Sequence, residues 1–378
     1  PGGAATAART QQAAFVGEHP APAGLIAIAP FARTQTLAVA LRGQRLKVAF
    51  GPASGGFGTA RTLVTAPIVG LPQLSASGSR ALIAWIETTR TSTGATRRVV
   101  RAIERANGRF GAPFTLSGQG RADAVTAAVG ARGDEAVAMV RDGDVLAQVR
   151  RPGHGWGTLR RLARADGATR WHLTSGINAR GQVRIVWRRH QLTRSGTPGR
   201  TALQSAAMLV GRSTFTTAQT LTANGASTPA LTETPAGWAV ADVETTAGGP
   251  RPALHRTRGG SAFGPVEYAA PAQPGGARGA DVAFSPVGGL TVAWVQPVAG
   301  QDSDGIARAA SLDPGVPSPA FGPVEDVSPA EAVHEVRLGV DGRAGQPVAV
   351  WTARPSGTGP ATPLAQIRTV VRSAVRRP

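Results

Sequence analysis

Short runs of apolar residues recur along the chain about every fifty residues. Each run is bounded by Gly, Pro or polar residues, and most end in a large side chain. Continuous apolar runs of this length, flanked by turn residues, are typical of strands that are buried on both faces. A recurrence of this period is typical of repeat architectures. The seven runs are 37–41, 81–85, 135–139, 183–187, 237–241, 290–294 and 347–351.

A second phrase, an aromatic residue followed by Gly, recurs with a similar spacing to that of the apolar runs. It is clearest as Ala-Phe-Gly-Pro-Val-Glu at 262–267, which returns unchanged at 320–325. We interpret this phrase as the fourth strand of each cycle, and successive aromatic residues are 46 to 59 residues apart. Weaker copies centre on Phe57, Phe110, Trp156 and Phe215.

Each cycle contains four strand-like pieces separated by turns. In the sixth cycle they are 281–285, 290–295, 305–310 and 321–327. Four antiparallel strands per cycle are typical of a β-propeller blade, and blades stacked around an axis cover both faces of each sheet. We therefore predict an all-β fold, a single seven-bladed β-propeller of four-stranded antiparallel blades. This domain would cover residues 13–378 and follow a flexible segment, 1–12. An array of β-sandwiches and a β-helix are the alternatives.

The seventh cycle has no aromatic–Gly phrase and therefore lacks a fourth strand. Its pieces are 335–340, 347–351 and 364–371. Near the N terminus, Phe15 and Val16 form an apolar pair that belongs to no cycle. We predict that this N-terminal strand pairs with 364–371 as the outermost strand of the last blade and so closes the ring.

The net charge of +19 is carried almost entirely by Arg, because Lys47 is the one lysine in the chain. An excess of this size attracts phosphates, anionic glycans or acidic surfaces. A solvated basic surface without a binding role is the simpler explanation, since part of the Arg content reflects compositional bias. We do not expect a nucleic-acid partner, because neither a binding motif nor interleaved basic and aromatic residues are present.

Composition also bears on the compartment. The chain has no cysteine, which excludes disulfides and thiolate chemistry. It has no apolar run long enough to form a membrane-spanning helix. Because it opens on Pro-Gly-Gly-Ala rather than Met, we expect that an upstream segment has been removed. The expectation is a monomer that is secreted or held at the cell surface.

No local motif points to catalysis, a cofactor or a metal. None of the six histidines is spaced from another as metal ligands are. The acidic turns 142–144 and 302–304 hold too few carboxylates for a calcium loop, so we interpret them as polar turns. We assign no catalytic residue, no metal and no cofactor.

The loops between second and third strands are the best candidates for binding. They are longer and more variable than the other turns, and in a propeller they share one face with the connections between blades. Drift in loops that tolerate change is the competing explanation. The residues that would gather on this face are Glu87, Arg97, Arg141, Asp142, Arg188, Arg189, His190, Gln296, Asp302 and Arg354.

The order of the two phrases resembles the repeats of bacterial, often exported, seven-bladed propellers that are grouped with the sialidase-like proteins. The residues that carry the resemblance are the Phe-Gly positions and Trp85, Trp187, Trp294 and Trp351. It implies that these tryptophans are buried between neighbouring blades. The family's Asp-box turns are absent, and 302–305 is only a partial match. The family's catalysis resembles a Tyr nucleophile with an acidic partner and an arginine trio. The chain has one tyrosine, Tyr268, and no active site can be carried over.

We therefore expect a non-catalytic binding module that recognises a polar or anionic ligand, either a glycan or a protein, on its long-loop face. A glycoside-active enzyme of the sialidase-like or another glycosidase type is one alternative, and a structural assembly platform is the other. An enzyme needs a cleft with two carboxyl groups roughly 5–10 Å apart. A lectin needs pockets between blades with an aromatic residue beside an Arg or Glu. A platform needs an exposed apolar patch.

Overall fold

The computed structural model describes most of the chain. The described residues are 14–20, 25–31, 35–51, 57–118, 120–164, 169–192, 198–225, 227–257, 262–272, 275–285, 289–298, 305–312, 320–328, 333–340, 347–353 and 370–377. Their regular secondary structure is entirely β-strand, and no helix occurs among them. Accordingly, this part of the chain contains no helix with the length and apolar character needed to cross a membrane. The predicted flexible segment, 1–12, lies outside the described residues.

The strands form antiparallel sheets that follow one another along the chain, after an N-terminal strand β1 (Ala14–Pro20). Sheet 1 contains β2 (Leu25–Phe31), β3 (Gln35–Arg42), β4 (Arg45–Gly51) and β5 (Arg61–Thr65). Sheet 2 contains β6 (Ile68–Ser77), β7 (Arg80–Arg90), β8 (Thr96–Ala106), β9 (Arg109–Phe110) and β10 (Phe114–Thr115). Sheet 3 contains β11 (Ala122–Val129), β12 (Glu135–Arg141), β13 (Asp144–Arg150) and β14 (Arg160–Ala163).

The later sheets repeat this pattern. Sheet 4 contains β15 (Thr169–Ile177), β16 (Val183–Leu192), β17 (Pro198–Met208) and β18 (Gln219–Thr222). Sheet 5 contains β19 (Ala230–Thr234), β20 (Gly237–Thr246), β21 (Gly249–Arg256) and β22 (Glu267–Tyr268). The remaining strands form one eight-stranded sheet with two halves, joined by a single residue pair between Gly305 and Val333. Half A contains β23 (Arg278–Ser285), β24 (Gly289–Pro297), β25 (Gly305–Leu312) and β26 (Glu325–Asp326). Half B contains β27 (Val333–Val340), β28 (Pro347–Ala353), β29 (Val370–Arg377) and β1.

The apolar runs form the second strands, and these are covered on both faces. In β12, all residues except the last are buried, as a continuous apolar run predicts. Trp85, Trp187, Trp294 and Trp351 are at most 1% exposed, which confirms their predicted burial. Each packs against the preceding sheet or half-sheet: Trp187, for example, shares a cluster with Ala136 of sheet 3. The tryptophans therefore fill the spaces between neighbouring sheets.

Except at Phe110, which ends the two-residue strand β9, the aromatic–Gly phrase is not part of a strand, which corrects our interpretation. Phe263 and Phe321 form only isolated bridges, and the fourth strands that follow them, β22 and β26, are two residues long. The reason is that the N–H of the Gly donates a hydrogen bond to a backbone carbonyl of the third strand. The N–H of Gly157 donates to Val149 O at 3.0 Å, and a Cβ on Gly157 would stand 3.0 Å from the same oxygen. The phrase therefore docks the chain on the third strand before a short edge strand begins.

The two chain ends meet in half B. Strand β1 pairs antiparallel with β29, so that Phe15 lies opposite Arg376 and Val16 opposite Val375. The order β1, β29, β28, β27 makes β1 the outermost strand of this half. The predicted partner was 364–371, but the register uses 372–377, because the third strand runs on to Arg377. Residues 364–369 lie outside the described part of the chain.

The first strands of successive sheets contact one another. Contacts run in order from β2 through β6, β11, β15, β19 and β23 to β27, and β27 in turn contacts β2. Antiparallel four-stranded sheets whose first strands adjoin are the arrangement of a β-propeller. The predicted all-β fold of four-stranded antiparallel sheets is confirmed.

Candidate functional site

The ends of the second strands and the beginnings of the first strands lie at the same end of each sheet, because these strands are antiparallel. In sheet 3, for example, Ala122 at the start of β11 pairs with Arg141 at the end of β12. We call this side of the molecule the second-strand end. It is the side on which the sequence predicted ligand binding.

A cavity of about 490 Å³ opens at the second-strand end. Its walls come from sheets 4 and 5 and from both halves of the eight-stranded sheet, chiefly from the first residues of β23 and β27. Three cations from three of these units line it: Arg188 of β16, Arg278 of β23 and Arg337 of β27. Glu335 is the acidic residue in its lining. The volume is that of a small-molecule site, and among the charged residues in its largely apolar lining the three arginines outnumber the one glutamate.

Arg188 is the cation that is least engaged by the protein. Among the described residues its side chain has no hydrogen bond or ion pair, and its Nε is buried without a partner. Burial lowers the pKa of Arg188, and the charge of Asp242 acts in the opposite direction. A guanidinium keeps its charge under such a shift, so its N–H donors require water or a ligand as acceptor.

Arg337 is held in place in the opposite wall. Its Nη2 lies 2.6 Å from Glu335 Oε1, and its Nε donates to the same oxygen at 2.8 Å. Asp281 is buried beside it and accepts a hydrogen bond from the N–H of Leu338 at 2.9 Å. Burial lowers the pKa of Arg337, but the charges of Asp281 and Glu335 outweigh it and raise the pKa. Arg337 is thus a fixed cation that is partly neutralised.

Asp242 lies behind Ser227, which lines the cavity. Asp242 Oδ1 accepts hydrogen bonds from the N–H of Ser227 at 3.0 Å and from its Oγ at 2.6 Å, whereas Oδ2 is buried without a partner. Burial raises the pKa of Asp242 to about 6, although the bonds from Ser227 and the charge of Arg188 oppose the shift. At neutral pH this carboxylate is ionised and helps to keep Arg188 charged.

The chemistry of this cavity suits an anion. The free N–H groups of Arg188 can donate two parallel hydrogen bonds to a carboxylate, sulfate or phosphate. Glu335 and the hydroxyls of Ser227 and Thr228 can meet hydroxyl groups of the same ligand. The described residues contain no group of three or more metal-ligating side chains. The arrangement is therefore that of a largely apolar pocket whose arginines can accept an anion.

The predicted binding residues are only partly brought together. Eight lie at or next to the second-strand end, and Arg188 is the one among them that lines the cavity. Glu87 instead accepts a hydrogen bond from Trp85 Nε1 at 3.3 Å. Gln296 is buried, and its Nε2 donates to Gly276 O at 2.7 Å, next to the cavity wall. Asp302 and Arg354 lie outside the described residues.

The other predicted residues lie around the ends of their own strands. Asp142 occupies a tight turn with φ of 52° and accepts a hydrogen bond from the N–H of Arg121 at 2.8 Å. Arg141, which precedes it, ends β12, and Arg97 is exposed near the start of β8. Arg189 and His190 continue β16 beyond Arg188 and engage further groups.

Sequence reasoning missed Arg278, His334 and Arg337. They belong to the first strands, which the pattern marks as core, whereas the search for binding residues was confined to the loops after second strands. Charged residues at the start of a first strand, such as Arg278 in β23, were the available signal.

The single tyrosine is not among the residues that line this cavity. Tyr268 lies on the fourth strand β22, and its hydroxyl donates to Glu244 Oε2 at 2.9 Å. Glu244 Oε1 is 3.2 Å from His255 Nε2, and the Arg251 guanidinium lies 3.9 Å from the centre of the Tyr268 ring. Burial and the Glu244 carboxylate raise the pKa of Tyr268. The phenol is therefore held in its protonated form.

The comparisons with known proteins identify likenesses of fold. No protein-family profile and no curated protein matches the chain. A protein of unknown function from Dyadobacter fermentans has a similar structure, with a TM-score of 0.52 at 11% identity over 97% of this chain and 99% of its own. At that identity the match shows a common fold along the length of both chains.

Two sialidase-type structures are similar at lower scores. Trypanosoma rangeli sialidase has a TM-score of 0.46 and 8% identity over 94% of this chain. The chain spans 55% of the length of that sialidase. The hemagglutinin-neuraminidase ectodomain of parainfluenza virus 5 has a TM-score of 0.48 and 8% identity over 97% of this chain and 86% of its own.

Proposed function

We propose that this chain is a non-catalytic binding module that holds a polar or anionic ligand, on a glycan or a protein, in the cavity at the second-strand end. The observation that carries the proposal is the unpaired guanidinium of Arg188 in a cavity of about 490 Å³ that Arg278 and Arg337 also line. A cavity lined by a cation that makes no hydrogen bond or ion pair with the described residues attracts anions. The ligand group is a carboxylate or another oxyanion attached to a hydroxyl-bearing body.

The scaffold of this proposal is a single seven-bladed propeller closed by the N-terminal strand. Sheets 1 to 5 and halves A and B would be its blades, with β1 as the outer strand of the last blade. The contact between β27 and β2 supports a closed ring, since these are the last and the first of the inner strands. We further propose an exported, monomeric bacterial protein, as the resemblance of its repeats to exported bacterial propellers implies.

The absence of the expected nucleophile supports binding over hydrolysis. The single tyrosine of the chain lies on the outer strand β22, donates to Glu244 and is not among the residues that line the cavity. Of the carboxyl groups near the cavity, Glu335 is paired with Arg337, and Asp281 accepts backbone N–H groups. These two carboxylates orient the wall, whereas Asp242 lies behind Ser227 with its Oδ2 buried and without a hydrogen-bond partner.

The test is a binding titration with small anions of stated chemistry. Glucuronic acid, N-acetylneuraminic acid and inorganic sulfate are compared with neutral galactose by calorimetry, using the wild-type chain and Arg188→Gln. Because the free Arg188 donors are the main anion contacts, we expect the variant to weaken anion binding by roughly tenfold or more. Added salt is expected to weaken the wild-type interaction.

The matched control is Arg160→Gln, which removes an exposed arginine of β14, a strand that does not line the cavity. It is expected to bind like the wild type. The proposal is wrong if no anionic probe binds, or if the control weakens binding as much as the Arg188 variant. Hydrolysis of aryl glycosides by the wild-type chain, lost in Arg188→Gln, would replace it with the glycosidase alternative.

A further inference from the structure

A second cavity, of about 380 Å³, lies between sheets 2 and 3. Its lining comes from the turn after β8 and from the chain that follows β13, and includes Glu104, Arg150, Phe114 and Trp156. Third strands run antiparallel to second strands, so their ends lie opposite the second-strand end. This cavity is thus separate from the site with the three arginines, and the inference below does not depend on the proposed function.

One wall of the second cavity is aromatic. The rings of Phe114 and Trp156 lie with their centres 6.3 Å apart, at an interplanar angle of 38°. Both side chains are only partly buried, although they pack against the apolar cluster between sheets 2 and 3. An aromatic surface left partly open in a concave site offers a flat apolar face to a ligand.

Charged side chains lie beside the aromatic rings: Glu104, Arg109 and Arg150 line the cavity, and Arg150 Cζ lies 5.4 Å from the centre of the Trp156 ring. Arg150 Nη2 donates to Glu104 Oε2 at 2.6 Å and to Glu135 Oε2 at 2.5 Å. Arg80 Nη1 lies 3.6 Å from Glu104 Oε1. The Nε and Nη1 of Arg150 have no hydrogen-bond partner among the described residues and remain accessible. The wall therefore presents the Glu104 carboxylate and unused Arg150 donors side by side.

We propose that this second cavity binds a pyranose residue of a neutral glycan. Such a ring combines an apolar C–H face, which fits the wall of Phe114 and Trp156, with hydroxyl groups at its edge. Adjacent hydroxyls donate to Glu104 and accept from Arg150, because planar carboxylate and guanidinium groups match pairs of hydroxyls. Arg109, exposed at the rim, adds a further donor. A strongly charged ligand is disfavoured, since charges of either sign would meet a like charge across the same wall.

The experiment is a titration of the full chain with neutral trisaccharides, namely maltotriose, cellotriose, mannotriose and chitotriose, by saturation-transfer NMR and calorimetry. We expect at least one of them to bind in the millimolar range or tighter. Trp156→Ala is expected to weaken that binding by more than about tenfold, whereas Trp156→Phe retains most of it, because a ring remains in the wall. Arg109→Ala, a rim variant that touches no buried group, is expected to weaken binding a few-fold.

The control variant is Arg90→Ala, which removes an exposed arginine at the far end of β7 and is expected to bind like the wild type. Glucuronic acid is added as a competitor, and no displacement is expected. The proposal is overturned if none of the four trisaccharides binds. It is also overturned if Trp156→Ala or, should that variant not fold, Arg109→Ala binds as tightly as the wild type. Displacement by glucuronic acid would assign the binding to the cavity with the three arginines.

Discussion

Glu135 makes the stability of this protein depend on pH. It begins β12 and is fully buried. Its Oε2 and Glu104 Oε2 both accept a hydrogen bond from Arg150 Nη2. Its other oxygen, Oε1, is buried without a hydrogen-bond partner. Burial, and then the neighbouring charge of Glu104, raise the pKa of Glu135 to about 7, although Arg150 opposes the shift. Two carboxylates compete for one guanidinium, so one of them holds its proton up to neutral pH.

The sign and size of the effect follow from linkage. A carboxyl group whose pKa is higher in the folded than in the unfolded chain is protonated in the folded state between the two values. The folded state then binds more protons, so the free energy of unfolding falls as pH rises from 4.5 to about 7. At 1.36 kcal/mol per pKa unit, the loss is about 3 kcal/mol. Arg150, whose pKa is raised by the two carboxylates despite its burial, stays charged throughout.

Glu135→Gln removes this titration and keeps the shape of the side chain. The assay is urea unfolding, followed by tryptophan fluorescence, at pH steps between 4.5 and 7.5 for the wild type and the variant. As pH rises across this range, we expect the wild type to lose about 3 kcal/mol of unfolding free energy relative to the variant. Glu87→Gln leaves the cluster of Glu135, Arg150 and Glu104 intact and is expected to keep the wild-type slope. Parallel profiles for wild type and Glu135→Gln would refute the reasoning.

Two further predictions concern packing and closure. Trp294→Ala is expected to lower the free energy of unfolding by roughly 3–5 kcal/mol, because this buried side chain fills the space between sheet 5 and half A. In the same urea assay, Leu71→Ala, at an exposed position, is expected to change it by less than about 0.5 kcal/mol. Deleting residues 1–20 is expected to lower Tm far more than deleting 1–12, because it removes β1 and its pairing with β29, in which each hydrogen bond contributes about 1 kcal/mol. Equal Tm values for the two deletions would contradict a closing role for β1.

The repeat made much of the fold predictable. A continuous apolar run is stable as a strand only if both of its faces are covered, so the seven runs implied sheets packed against neighbours on both sides. The burial of Trp85 and Trp351 against the preceding units follows directly. The edge strands were harder to predict, because few buried contacts define them. The two-residue strand β26 begins four residues beyond Phe321, where a strand was expected to start.

The pairing of the chain ends was predictable in kind but not in register. The seventh cycle lacked an outer strand, and the apolar pair Phe15 and Val16 belonged to no cycle. Together these two facts predicted that the N-terminal segment supplies the missing strand. Register depends on where the third strand ends and on a bulge between Val16 and Glu18, and neither leaves a sequence signal. The pairing therefore lies several residues nearer the C terminus than predicted.

The arginines of the first strands, which line the cavity, could have been recognised from the sequence. In a propeller the first strand of each sheet is read as core, and Arg278 and Arg337 were passed over for that reason. Yet the first residues of an inner strand stand where neighbouring sheets converge, so their side chains face a shared space rather than bulk solvent. Arg337 lies in such a strand and contributes to the cavity wall together with Arg188 from a second strand of sheet 4. A charged residue near the beginning of a predicted inner strand is costly to place there unless something satisfies it. In repeat proteins of this kind, such residues, more than the longest loops, are the places to look for a binding site.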